Sequence, residues 1–154
     1  MDKKIAIVYL SESNTEMSED ELNELAASAA RKNEEIGITG YLSHQRNRFI
    51  QYIEGEESKI MGLMASIEKD ERHRVIHKIQ KDHWGERIFP NWSMRLIKQD
   101  ELKRFQLELQ IEQNLVFIKN DFAHKDRCET FLWKHVKLIA KIRALYGNKK
   151  RHSM

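Results

Sequence analysis

The succession of apolar periods along the chain predicts an α+β fold: a ferredoxin-like βαββαββ sandwich, a five-stranded sheet with two helices on one face, carrying a C-terminal helical extension. Three observations predict it. Five short runs of strand character, near residues 4–10, 39–45, 48–54, 74–81 and 92–97, are interleaved with two stretches of helical period. Gly37, Arg46–Asn47, Gly55 and Pro90 punctuate the boundaries between them. Beyond Gln99 the pattern becomes helical throughout.

The first strand, Lys4 to Leu10, runs into the polar stretch Ser11 to Thr15, which reads as a loop. Ser18 with Glu21 forms a capping box, and Glu19, Asp20 and Glu21 suit the positive end of a helix dipole. Leu22, Leu25, Ala26, Ala29 and Asn33 then form one inward stripe that ends in an amide, and Gly37 stops the helix. Thr39–Gln45 and Arg48–Glu54 read as a hairpin through a tight turn at Arg46–Asn47. Ser58 is expected to cap a second helix reaching Asp70, with Ile60, Leu63, Met64 and Ile67 inward; Gly62 in its middle is either a point of close approach or a tolerated surface glycine. A fourth strand near Arg74–Lys81 and a fifth from Trp92 to Ile97, with Trp92, Met94 and Leu96 on one face, complete the sheet.

Two amphipathic stretches follow, Asp100–Gln113 and Asp126–Tyr146. In the second, Cys128, Phe131, Leu132, His135, Leu138, Ile139, Ile142, Leu145 and Tyr146 repeat at helical spacing, and Gly147 is placed to cap its end. Their apolar stripe must cover either the free sheet face or a partner subunit.

Composition excludes several function classes. Lysine and arginine number 27 against 24 acids, a net charge of +3, and the signs are interleaved, which is no nucleic-acid footprint by itself. The one basic cluster, Lys149 to His152, reads as a solvated tail. No apolar segment approaches bilayer length or a signal peptide, so the expectation is a cytoplasmic protein with no membrane contact. A single cysteine, Cys128, leaves no intrachain disulfide or Cys-rich site and reads as a packed or half-exposed thiol; His73 and His77 lack a third ligand at useful spacing, so no metal is expected.

Two polar residues stand on apolar faces. Gln51 points the same way as Phe49 and Ile53, and Tyr9 the same way as Ile5 and Ile7. A buried amide or phenol without a partner costs about 1–3 kcal/mol, so these groups satisfy each other and the backbone, or a bound molecule satisfies them.

Tyr9 with Ser11, Asn33, the Gly37–Gly40 run, Phe49 and Gln51 with Glu54 and Gly55, Asp70 with Arg72 and His73, and Phe89, Pro90, Trp92, Ser93 and Met94 together resemble, in order and spacing, the BLUF photosensor domain over residues 4 to 97. The resemblance implies a blue-light photoreceptor that binds FAD and is not an enzyme. It implies an isoalloxazine ring between the two core helices beside Ala26, Ala29 and Ala30, with Asn33 on its pyrimidine edge and Gln51 bridging Tyr9 to the ring. Ile67, His73, Lys32, Arg31 and Arg72 are the remaining expected cofactor contacts, the basic ones near the phosphates; Ser66 stands where several similar sequences carry a basic or histidine side chain. The ring contacts do not read the adenine, so shorter flavins could also enter. Light would draw an electron and a proton from Tyr9, rearrange Gln51 by rotation or tautomerisation, and pass a signal through Trp92, Ser93 and Met94 to the C-terminal helices. Trp92 is a competing electron donor in this scheme.

On that reading residues 1–98 are the flavin-binding domain, 99–147 the helical extension and 148–154 a basic tail. With no second domain expected, the extension would serve as output or oligomer surface toward a homo-oligomer or a downstream signalling protein. Two alternatives rank lower. A ferredoxin-like nucleic-acid-binding module using the sheet face and basic tail lacks paired exposed aromatics for base stacking. A small hydrolase on this scaffold lacks a nucleophile–base pair or phosphate-cradling loop.

Overall fold

Strand β1 (Lys4–Ser13) is buried on both faces from Ile5 to Ser11, and such a strand belongs in the middle of a sheet. The computed structural model, which describes residues 3–83, 85–97, 107–120 and 125–152, places it there. The remaining elements are α1 (Glu19–Ile36), β2 (Thr39–Gln45), β3 (Arg48–Glu56), α2 (Glu57–Lys69), β4 (His73–Asp82), β5 (Arg95–Ile97), α3 (Leu107–Asn120) and α4 (Lys125–His152). The sheet order is β4-β1-β3-β2-β5, antiparallel except for the parallel β2–β5 pair. Among the described residues no helix is long and apolar enough to cross a membrane.

Local signals act as expected at α1 and the β2–β3 hairpin. Ser18 and Glu21 form the reciprocal capping box, and Gly37 ends α1 at φ 74°. Arg46 and Asn47 both take positive φ, the geometry a two-residue hairpin demands. Several element ends differ, and the two readings of Gly62 are decided. The polar residues Ser11–Ser13 extend β1, because β4 continues to pair with them beyond an irregularity at Leu10/Ser11. α2 begins at Glu57 without a side-chain cap, so Ser58 is not its cap; the carbonyl of Lys3 accepts from Glu57 N at 2.7 Å and satisfies that end of the helix. Gly62 faces open space, which makes it the tolerated surface glycine. α4 continues through Gly147 to His152, so Gly147 does not cap it.

β5 is the largest correction. It holds three residues, and Trp92 lies outside it on the sheet face opposite Met94. The reason is tertiary: Trp92 O accepts from Gly40 N at 2.8 Å and Ser93 O accepts from Asn33 Nδ2 at 3.2 Å, bonds that override strand alternation.

The sheet has helices on both faces. On one, Ile5, Ile7, Tyr9, Leu42, Phe49 and Ile53 pack with α1 and α2. On the other, Ala6, Val8, Leu10, Tyr41, Ile50 and Tyr52 are covered by Ile111 and Leu115 of α3 and Leu132, Trp133, Val136 and Ile139 of α4. The extension therefore occupies the sheet face that a nucleic-acid module would use. α4 is rotated from the expected stripe: Trp133 and Val136 face inward, while Phe131 and Leu138 are exposed. Cys128 and the side chains from Ile142 onward lie outside the described residues.

A carboxylate is buried beneath this second helical layer. Glu54, fully inaccessible, accepts from Phe89 N at 2.8 Å and Thr39 Oγ1 at 3.2 Å through Oε1, and from Tyr52 Oη at 2.7 Å and Ile88 N at 3.0 Å through Oε2. His83 Nε2 stands 3.4 Å from Oε2 and 3.0 Å from the Glu86 carbonyl, both acceptors, so that nitrogen carries a proton. Arg87 Nη1 adds bonds to Glu54 O at 3.1 Å and Thr39 Oγ1 at 3.0 Å.

A cleft between the core helices

On the α1/α2 face the sheet floors a cleft of about 610 Å³, a volume suited to a small organic ligand. Tyr9, Ser11, Leu42, Phe49 and Gln51 form the floor. Leu25, Ser28, Ala29, Lys32 and Asn33 of α1 make one wall; Leu63, Ser66 and Ile67 of α2 make the other, with Asp70, Arg72 and His73 at one end. Small residues on α1 keep this wall back from the floor.

The two misplaced polar residues meet. Tyr9, 3 % exposed, donates its Oη hydrogen to Gln51 Oε1, and Gln51 Nε2 donates to Met94 Sδ at 3.2 Å. A thioether is a weak acceptor, so this amide proton is poorly satisfied by the protein. Asn33, equally buried, points its Nδ2 at Ser93 O. Ser11 Oγ is buried with no hydrogen-bond partner among the described residues. The floor thus has spare hydrogen-bonding capacity beneath a cleft whose walls mix apolar and polar side chains, as a flat heterocycle with a polar edge would require.

Of the expected contacts, Tyr9, Ala29, Lys32, Asn33, Gln51, Ile67, Arg72 and His73 all line the cleft. Arg31 does not. Its side chain is two-thirds exposed and reaches Glu24 at 3.5 Å along the helix surface. Trp92 stacks on Phe89 at 5.0 Å and packs on the opposite face of the sheet, so it does not line the cleft. Arg72 is held by Asp70 at 2.6 Å, and these hydrogen bonds bring the Asp70 carboxyl down to about 2 despite partial burial. His73 Nε2 bonds Ile67 O at 2.8 Å, closing the loop after α2. Ser28, Leu25 and Met17 were missed as lining residues. The sequence signal for the first two was available, since Leu25 belongs to the inward stripe and residues 28 and 32 follow it at helical spacing.

Burial, and secondarily the charge of Asp70, raises the Tyr9 phenol well above the ordinary tyrosine range; burial and then Glu54 do the same for Tyr52. Both groups are neutral when folded, so their stabilising contribution is complete below the unfolded value near 10 and lost as pH rises above it. The expected loss is about 1.4 kcal/mol per pH unit per tyrosine until the folded protein also ionises. Urea unfolding at pH 9 and pH 11 measures it, and equal stability at the two would refute the burial argument.

The family model for sensors of blue light using FAD matches residues 5–95. Photoactivated adenylate cyclase subunit beta of Euglena gracilis is 28 % identical over 100 residues, 64 % of this chain and 12 % of that protein, so the chain spans a small part of the curated relatives it matches. The dark-state structure of BlrB, a BLUF protein, aligns with TM-score 0.61 and 28 % identity over 71 % of this chain and 83 % of that one. The photo-activated structure of BlsA aligns with TM-score 0.61 over 87 % of this chain and 94 % of that one, a likeness of fold at 24 % identity. With the family match spanning more than half of its length, the chain belongs to the BLUF family, the blue-light sensors that use FAD.

Proposed function

We propose that Tyr9, Gln51 and Met94 are the light-switched unit of this sensor, with a flavin seated in the cleft above them. The observation that carries this is the continuous line from Tyr9 Oη through the Gln51 amide to Met94 Sδ. A bound flavin supplies blue-light absorption and an excited state strong enough to oxidise a phenol. Tyr9 is the electron source. A phenol that has lost an electron is a far stronger acid, and its proton has Gln51 Oε1 as the ready acceptor. Burial keeps Tyr9 neutral and away from water beforehand, so the proton follows the amide and not the solvent. A Gln51 amide that has turned over presents its oxygen to Met94 in place of that N–H, and the 92–94 segment takes a second position. The unit returns to its starting state without a chemical product, so we assign the chain no enzymatic activity.

We assign Asn33 to the pyrimidine edge, Ala29 and Ile67 to the faces of the ring, and Lys32, Arg72 and His73 to the ribityl and phosphate portion; all of them line the cleft. Arg31 can join them only by leaving Glu24. Met94, Ser93 and the short β5 lead toward α3 and α4, and we assign these helices the contact with a second copy or a downstream signalling protein. Its expected setting is the cytoplasm.

Absorption spectroscopy of the FAD-loaded chain tests the reading. The expected result is a yellow protein with a small reversible red shift under blue light, lost in Tyr9→Phe and in Gln51→Ala. A shift that survives Tyr9→Phe would remove the assigned electron donor, and a preparation that cannot be loaded with flavin would remove the reading altogether.

A further inference from the structure

Strand β3 holds one segment of chain from both faces of the sheet. On the cleft face Gln51 touches Met94; three residues on and on the opposite face, Glu54 binds the backbone N–H groups of Ile88 and Phe89. Between the two contacts lies a turn in which Trp92 N donates to Phe89 O at 3.4 Å across Pro90 and Asn91. We propose that the Glu54 carboxylate is the fixed end of this segment, a positioning residue that confines the light-driven displacement to residues 91–97 and directs it into β5. The inference rests on the assignment of Gln51 and Met94 as the switch.

The chemistry of the site favours a fixed end. A carboxylate is acceptor-only, with two oxygens that here receive two backbone N–H groups, a phenol and a hydroxyl in a dry setting, where such bonds are strong. The anchored Phe89 is packed on Tyr41 at 5.3 Å and on Tyr52 at 5.4 Å, and Tyr52 meets Trp133 of α4 edge-on at 6.2 Å. Phe89 is therefore tied to the second helical layer. The other end of the segment shows no charged acceptor among the bonds described: it has a thioether, two single backbone carbonyl bonds, the stacking of Trp92 on Phe89 at 5.0 Å with Arg95 over the Trp92 ring, and a three-residue strand. A push at Met94 moves this end.

Removing the anchor should let the whole segment move. In Glu54→Gln only one side-chain atom remains an acceptor, and the amide nitrogen confronts donors. Tyr52→Phe removes one donor to the carboxylate while keeping the ring, and it serves where Glu54→Gln does not fold. The test is hydrogen–deuterium exchange of the full FAD-loaded chain in darkness and under blue light, alongside its absorption spectrum and dark recovery. In the unaltered protein light-dependent exchange is expected in 91–97 and absent from 85–89. In either variant the red shift is expected to persist, the exchange change to spread into 85–89, and dark recovery to quicken by roughly threefold or more, a modest coupling on the usual scale. A red shift absent from the unaltered protein would take down the sensor reading and this inference with it. A normal red shift with light-dependent exchange already present in 85–89, or with variants in which 85–89 stays silent, would overturn the anchor alone.

Discussion

Gly40→Ala is expected to leave the chain largely unable to adopt this sheet. A Cβ at that position would stand 1.8 Å from Tyr52 O and 2.8 Å from Tyr52 C, both backbone atoms of the paired strand, so no side-chain rotation relieves the contact. β2 would have to withdraw from β3. With it would go the Gly40 N to Trp92 O bond and the β5 pairing that β2 carries. Overpacking usually costs about 1–3 kcal/mol where side chains can shift; with backbone on the receiving side the cost should exceed that range. Thermal and urea unfolding of the purified variant measure it. Gly62→Ala is the matched control: open space there leaves only the propensity gain, worth up to ~1 kcal/mol in the stabilising direction. Equal stability of the two variants would refute the steric account.

Glu54→Ala ranks second. Truncation strands the N–H groups of Ile88 and Phe89 and the hydroxyl of Tyr52 in a site from which water is excluded. Removing one partner from a buried charged network costs on the order of 3–5 kcal/mol. Much of that is the penalty of donors left without acceptors. The midpoint of urea unfolding should fall while the slope stays near that of the parent. A loss below about 1 kcal/mol, the scale of an exposed pair, would mean that the carboxylate is dispensable.

Where folding is governed by neighbours in sequence, it was legible. The capping box at Ser18–Glu21, the positive-φ pair Arg46–Asn47 and the stop at Gly37 depend on residues within a few positions of each other, and all three are formed. Where a distant backbone supplies the bond, sequence periodicity misleads. Lys3 O, not Ser58, satisfies the start of α2, and Asn33 and Gly40 draw residues 92–93 out of the strand that alternation predicts. The face of α4 was misjudged because Phe131 and Leu138 fit the helical period as well as Trp133 and Val136 do. Only the sheet decides between them.

The cleft followed the same division. Tyr9 and Gln51 stood out because a polar tip on an apolar strand face requires a partner, and each is the other's. Met94 as acceptor from Gln51 was invisible to reasoning about core hydrophobes, since only its sulfur distinguishes it. Arg31 and Lys32 are adjacent basic residues in the sequence, yet a helix turns them about 100° apart, and of the two only Lys32 meets the cavity. Glu54 carried no periodic signal that would set it apart from the surface acids; its burial follows from the return of residues 87–89 over the end of β3.

β5 has one further property. Leu96 leans on the layer formed by α1 and α2, while its neighbour Ile97 is seated in the layer formed by α3 and α4. As a rim strand it pairs with β2 alone among the described residues. Two adjacent side chains of one short strand thereby join the layer over the cleft to the layer on the far side of the sheet.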